Sequence, residues 1–121
     1  MTSTEKRKHI RIDSVNPSNV NIYSNNILVR EGEGKTLNIS KGGVLLETPF
    51  PIEADQKLGL TINLEKEFVY ISGKVAHTNR CENHCYRTGV EFFAIDETGQ
   101  DILEKYIDIF RKDTSAPGGA A

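Results

Sequence analysis

The sequence predicts a mainly β fold: an antiparallel barrel or sandwich of about six strands, followed by one C-terminal α-helix. Three observations carry this. Runs of alternating apolar and polar residues recur between residues 20 and 93, with Gly, Pro and Asn between them. Near the end of the chain the apolar spacing changes from two to the helical period. At 121 residues, with no internal repeat, the chain has the size of a single domain with its own core.

The first sixteen residues are polar and basic without periodicity, and read as a flexible N-terminal arm (1–16). The domain proper is expected over 17–112. "VNIY" (20–23) and "ILVRE" (27–31) flank "SNN", a turn signal. In "TLNIS" (36–40), strand alternation puts Leu37 and Ile39 on one face and Asn38 and Ser40 on the other. "KGG" (41–43) breaks that strand and "VLLET" (44–48) resumes. "KLGLTINL" (57–64) alternates cleanly, with Leu58, Leu60, Ile62 and Leu64 facing one way. "FVYISGKVAHT" (68–78) groups Val69, Ile71 and Val75, and "RTGVEFF" (87–93) gives the last strand. Ile102, Leu103, Tyr106, Ile107 and Phe110 then recur at helical spacing, opposite Asp101, Glu104, Lys105 and Asp108, forming an amphipathic helix expected over 98–112. Asp96 or Thr98 can cap it. "SAPGGAA" ends the chain in an expected disordered tail (113–121).

Composition narrows the function classes. The chain is 37% hydrophobic and 26% charged, a globular balance. Its formal net charge of −2 argues against a general binder of nucleic-acid polymers, yet leaves room for a local anion site. No apolar run reaches the ~18 residues of a membrane helix, so no membrane insertion is expected. No apolar segment follows the charges of "MTSTEKRKHIRID", so no signal peptide is read there and a cytoplasmic location is expected. In that compartment Cys81 and Cys85 are expected to be reduced thiols.

Two short motifs carry chemistry. "RKHIR" (7–11) places Arg7 and Arg11 four residues apart on a segment with no core face. Their Cα atoms lie roughly 13 Å apart if the segment is extended and about 6 Å apart if it is helical, so two guanidinium forks can close on one compact polyanion. Arginine suits this because its planar fork fits phosphate oxygens and the O6/N7 edge of guanine. The second motif is "NISKGG" (38–43). Asn38 and Ser40 are expected to project outward side by side, about 7 Å apart, offering hydrogen bonds to a base edge or a phosphate. Gly43 lets backbone turn sharply or approach a ligand.

The ordered combination of RxxxR, NxSxxG, a later "GVEF" strand (89–92) and one terminal helix resembles the PilZ domain family, from about Lys6 to Arg111. The resemblance implies a six-stranded antiparallel β-barrel with one C-terminal α-helix. It also implies a bacterial receptor for the second messenger cyclic di-GMP, without enzyme activity or a cofactor. By position, Arg7 and Arg11 match the arginines that grip guanine and phosphate. Asn38, Ser40 and Gly43 match the motif that meets a guanine edge and its neighbouring backbone turn. Lys6 stands where many members carry another arginine, a position associated with binding an intercalated ligand dimer. His77, in "GKVAH", stands where many members carry an aromatic residue. A single-domain receptor of this kind acts through a separate protein partner. In the expected switch, ligand orders the arm and creates a composite surface for that partner.

The same residues allow other readings. One is a degenerate domain of this family that binds only protein. Another is a small metal-binding barrel, since His77, Cys81, His84 and Cys85 are all of ligand type. Their spacing matches no common zinc template, and adjacent His84 and Cys85 are hard to turn toward one ion from a strand, so no metal is expected. A Cys81–Cys85 disulfide across a hairpin is possible in geometry but disfavoured in a reducing compartment. A barrel for single-stranded RNA needs exposed stacking aromatics, whereas this chain has no Trp, and most of its five Phe and four Tyr fall on faces that read as buried.

Overall fold

The computed structural model describes the backbone of residues 11–120 and the side chains of residues 11–110. Six strands run in order: β1 (Ile12–Ser24), β2 (Ile27–Ile39), β3 (Gly43–Thr48), β4 (Lys57–Leu64), β5 (Glu67–Cys81) and β6 (Cys85–Ile95), followed by helix α1 (Glu97–Ala120). They form a closed antiparallel barrel in the order β1-β2-β3-β6-β5-β4, with β1 hydrogen-bonded to both β2 and β4. Closure removes the free sheet edges that a flat β-sheet would expose.

The core follows from alternation. Leu58, Leu60, Ile62 and Leu64 of β4 point inward together with Val20 and Ile22 of β1 and Val69 and Ile71 of β5. The connection after β3 crosses one end of the barrel and buries Phe50 and Ile52 there, with the Arg30 guanidinium 4.5 Å from the Phe50 ring centre. Asn25 and Asn26, both at positive φ, make the tight β1–β2 turn that "SNN" signals. The runs 27–31 and 36–39 belong to one continuous strand, β2, paired to β1 along most of its length, with Ser40 just past its end.

Two boundaries and one register differ from expectation. Residues 12–16 are not part of an arm. They open β1, with Ile12, Ser14, Asn16, Ser18, Val20 and Ile22 buried in strict alternation. The signal is hidden because three of these inward positions are polar and the outward Val15 is apolar. The polar groups are buried at acceptable cost because they bond to one another. Asn16 Nδ2 donates to Ser14 Oγ (3.1 Å) and Thr36 Oγ1 (3.3 Å), the Tyr106 hydroxyl donates to Asn16 Oδ1 (3.2 Å), and Ser14 Oγ shares a 2.5 Å bond with that hydroxyl.

The second difference is a β-bulge. Thr36 pairs with Leu46 but Asn38 pairs with Leu45, so one extra residue enters β2. Thr36 and Ile39 therefore face inward, and Leu37 does not share the buried face with Ile39 as alternation alone predicts.

The third is the helix end. α1 begins where expected: Asp96 Oδ1 accepts from the Gly99 amide at 2.7 Å and is the N-cap, rather than Thr98. Leu103 and Ile107 bury its apolar stripe against the barrel. The helical backbone then continues to Ala120, through the stretch read as a disordered tail. The sequence reading stopped where the apolar stripe stops.

The buried network yields a test. Tyr106→Phe removes the hydroxyl that joins α1 to β1 and leaves Asn16 Oδ1 short of a donor. Urea unfolding should show a loss of about 1–3 kcal/mol. A neutral result would mean that Ser14 and Asn16 are satisfied without the helix.

Candidate groove at the mouth of β1

β1 and β2 pair at Ile12↔Ile39 and Asp13↔Asn38. That register brings Arg11, just ahead of β1, beside Asn38 although 27 residues separate them, and Arg11 Nη1 donates to Asn38 Oδ1. Arg11 of the first motif and Asn38 of the second thus meet through a strand ladder rather than through chain proximity. The contact leaves both Asn38 Nδ2 hydrogens and most of the guanidinium fork as donors.

Arg11 and Asn38 form one side of an open groove of about 660 Å³ across β2, β3, β6 and β5. His77 forms the opposite side, and Gly42, Gly43, Glu91 and Phe92 lie along it. His77 owes its position to a second bulge: Val75 pairs with Val90 and His77 with Gly89, so Ala76 is the extra residue. A Cβ at Gly89 would fall on the imidazole, so the glycine is what lets the ring lie across β6.

Ser40 does not project outward as alternation predicts. It is 1% exposed, and its hydroxyl is used up by its own turn. Oγ accepts from the Gly42 amide (3.2 Å) and the Gly43 amide (3.1 Å) and donates to the Gly43 carbonyl (3.2 Å). The Ser40 amide adds a 2.8 Å bond to the Gly43 carbonyl, and the Phe92 amide ties the Gly42 carbonyl to β6 at 2.9 Å. β2 ends at Ile39, and the turn that follows folds Ser40 back onto Gly43, so Ser40 lines the floor of the groove with its hydroxyl already bonded while Asn38 presents its amide. Gly43 is required for close approach of strands: a Cβ there would collide with the Val90 carbonyl of β6.

The groove therefore presents a guanidinium, a primary amide, an imidazole and a glycine turn. Glu91 stands at its rim in a 3.5 Å ion pair with Lys74. Such a surface recognises a ligand that combines anionic and hydrogen-bonding groups. Glu91 and Phe92 were within a recognised strand, but only the β3–β6 pairing reveals that they share a groove with Asn38. Arg7 and Lys6 lie outside the described residues.

The remaining candidates are elsewhere. Cys81 and Cys85 face one another across the β5–β6 hairpin, about 13 Å along β5 from His77. They form a disulfide, with Cα atoms 5.0 Å apart, which corrects the expectation of two free thiols. Direct cross-strand register supplies the proximity that spacing alone left open. His84 sits in the turn between them at positive φ. His77 is thus separated from the other ligand-type residues.

Comparisons with known proteins agree with this architecture. The PilZ domain family model matches residues 5–108. No curated protein matches the chain. Among solved structures, the PilZ domain of YcgR from Escherichia coli with c-di-GMP superposes with a TM-score of 0.67 at 11% identity, covering 96% of this chain and 99% of that one. Bacillus subtilis MotI/DgrA, an inhibitor of motility, gives 0.65 at 21% identity over 83% of this chain. The match spans 48% of that longer protein. The PilZ domain of CeSA from a cellulose-synthesizing bacterium gives 0.53 at 17% identity, covering 84% and 94%.

The geometry separates residues that build the groove from those that face it. Gly43→Ala should destabilise the fold by about 1–3 kcal/mol, as an overpacked strand contact does. Ser40→Ala should also lower stability, by about 1 kcal/mol, through its lost turn bonds. Asn38→Ala should leave thermal unfolding nearly unchanged. Calorimetry on the three variants checks this, and an Asn38 variant as unstable as Gly43→Ala would contradict it.

Proposed function

The chain belongs to the PilZ domain family, and from that premise we propose that it is a receptor for cyclic di-GMP, which binds in the groove between Arg11–Asn38 and His77. The observation that carries this reading is that Arg11, the second arginine of RxxxR, meets Asn38 of NxSxxG at one groove through the β1–β2 register. The solved YcgR domain, which shares the fold, is one with c-di-GMP.

The roles follow from the donors available. Arg11 and Arg7 grip phosphate oxygens and the O6/N7 edge of guanine, each through a bidentate fork. Asn38 donates through Nδ2 and also holds the Arg11 fork in place. Gly43 and the backbone of its turn admit the ligand closely. Ser40 acts by holding that turn rather than by touching the nucleotide. His77 flanks the bound base, and Lys6 adds positive charge for the phosphates. Bound nucleotide brings Arg7 and Lys6 to the groove edge that Arg11 and Asn38 already form. The resulting surface of chain and nucleotide is what a partner protein reads. The ligand is sensed and released unchanged.

A calorimetric titration tests the proposal. Cyclic di-GMP should bind and cyclic di-AMP should not compete, because donors arranged for guanine O6 and N7 are mispaired by adenine. Arg11→Ala should weaken binding by about 1–3 kcal/mol with little change in stability. Equal affinity for the two dinucleotides, or none for either, would overturn the reading.

A further inference from the structure

A second cluster lies on the outer face of the barrel, at the β5–β6 hairpin, about 13 Å along β5 from His77. Cys81 of β5 and Cys85 of β6 are directly opposite in register, so their side chains share one face of the sheet. Glu47 of the next strand, β3, lies on that face too, and one of its carboxylate oxygens and both sulfurs lie within 4.8 Å of one another. Glu47 is half-buried, with Arg87 Nε at 3.1 Å and Lys35 Nζ at 3.7 Å. A hollow of about 300 Å³ opens beside Glu47 and Cys85, which gives solvent access.

We infer that, once the disulfide is reduced, Cys81, Cys85 and Glu47 form a binding site for a soft divalent cation of the zinc class. Tetrahedral zinc with bonds of ~2.3 Å to sulfur needs the sulfurs ~3.8 Å apart, a small opening from the bonded pair that side-chain rotation supplies. Two thiolates and one carboxylate from three adjacent strands are a donor set that zinc accepts, with water in the fourth position. The carboxylate has lone pairs to spare, so Glu47 can ligate metal while Arg87 and Lys35 continue to orient it. Those two cations also offset the charge of the thiolates.

The chemistry balances. A small dithiol reductant gives two electrons and two protons to the S–S bond, yielding two thiols and leaving as its own disulfide. A zinc ion then displaces the two thiol protons. A small-molecule disulfide reverses this by thiol–disulfide exchange: it accepts the two electrons and leaves as two thiolates, the Cys81–Cys85 bond re-forms, and loss of both sulfur ligands expels the metal. The site is thus redox-gated, and it is independent of nucleotide binding in the groove.

The test uses full-length protein reduced with a dithiol, desalted under nitrogen and titrated with Co(II). One equivalent should bind with thiolate-to-cobalt charge-transfer absorption, and Zn(II) should displace it. The disulfide form should give no such absorption. Alkylating both thiols of the reduced wild type should abolish binding, as should Cys81→Ser, which keeps a side chain of similar size. Glu47→Gln should weaken binding more than about tenfold while leaving the circular dichroism spectrum unchanged. No charge-transfer absorption in the reduced protein would overturn the proposal, as would equal affinity in Glu47→Gln.

Discussion

Closure of the barrel depends on one strand, β1, bonding on both sides, to β2 and to β4. A six-stranded sheet closes only if its strands coil, and the chain meets that demand with irregular steps in register. The steps fall at Asp13/Asn16, Ile22/Tyr23, Thr36/Asn38, Ser72/Gly73 and Val75/His77. Each adds local twist and changes which face a following side chain takes. Two of them border the groove. The step in β2 turns Asn38 outward and Ile39 inward, and the step in β5 lays His77 across Gly89. The groove is therefore a by-product of closing the barrel.

Closure also divides labour between neighbouring residues. Ser40 is buried and spends its hydroxyl on Gly42 and Gly43, so the turn beneath the groove is rigid before any ligand arrives. Arg11 and Asn38 stay accessible and keep donors free. The same first strand links the groove to the helix. Immediately after Arg11 and Ile12, Ser14 and Asn16 bond to Tyr106 of α1. A ligand that pulls on Arg11 pulls on a strand whose inward side chains hold the helix.

How much of this was legible depended on what each residue faces. β4 could be read to its ends, because four inward apolar residues alternate with polar ones and no bulge interrupts them. The start of α1 was equally clear from its stripe and cap. The start of β1 was not, because Ser14, Asn16 and Ser18 mimic a polar arm, and their partners Thr36 and Tyr106 are remote in sequence. The motif residues were visible, but the burial of Ser40 was not: Asn38 and Ser40 are two apart, and the strand ends between them at Ile39, where the turn to Gly43 draws the Ser40 hydroxyl inward. The Cys81–Cys85 bond was hidden for a different reason. Spacing permits it, while the choice between thiol and disulfide rests on how the two strands pair.

The central claim is that nucleotide binds where β1 delivers Arg11 to Asn38. Amide hydrogen exchange with and without cyclic di-GMP tests it most directly. The account predicts strong added protection over residues 6–12 and 38–43, with little change over 57–64, since a close-packed core does not deform gradually. Protection concentrated in the 81–85 hairpin or in α1, with 38–43 unchanged, would contradict it.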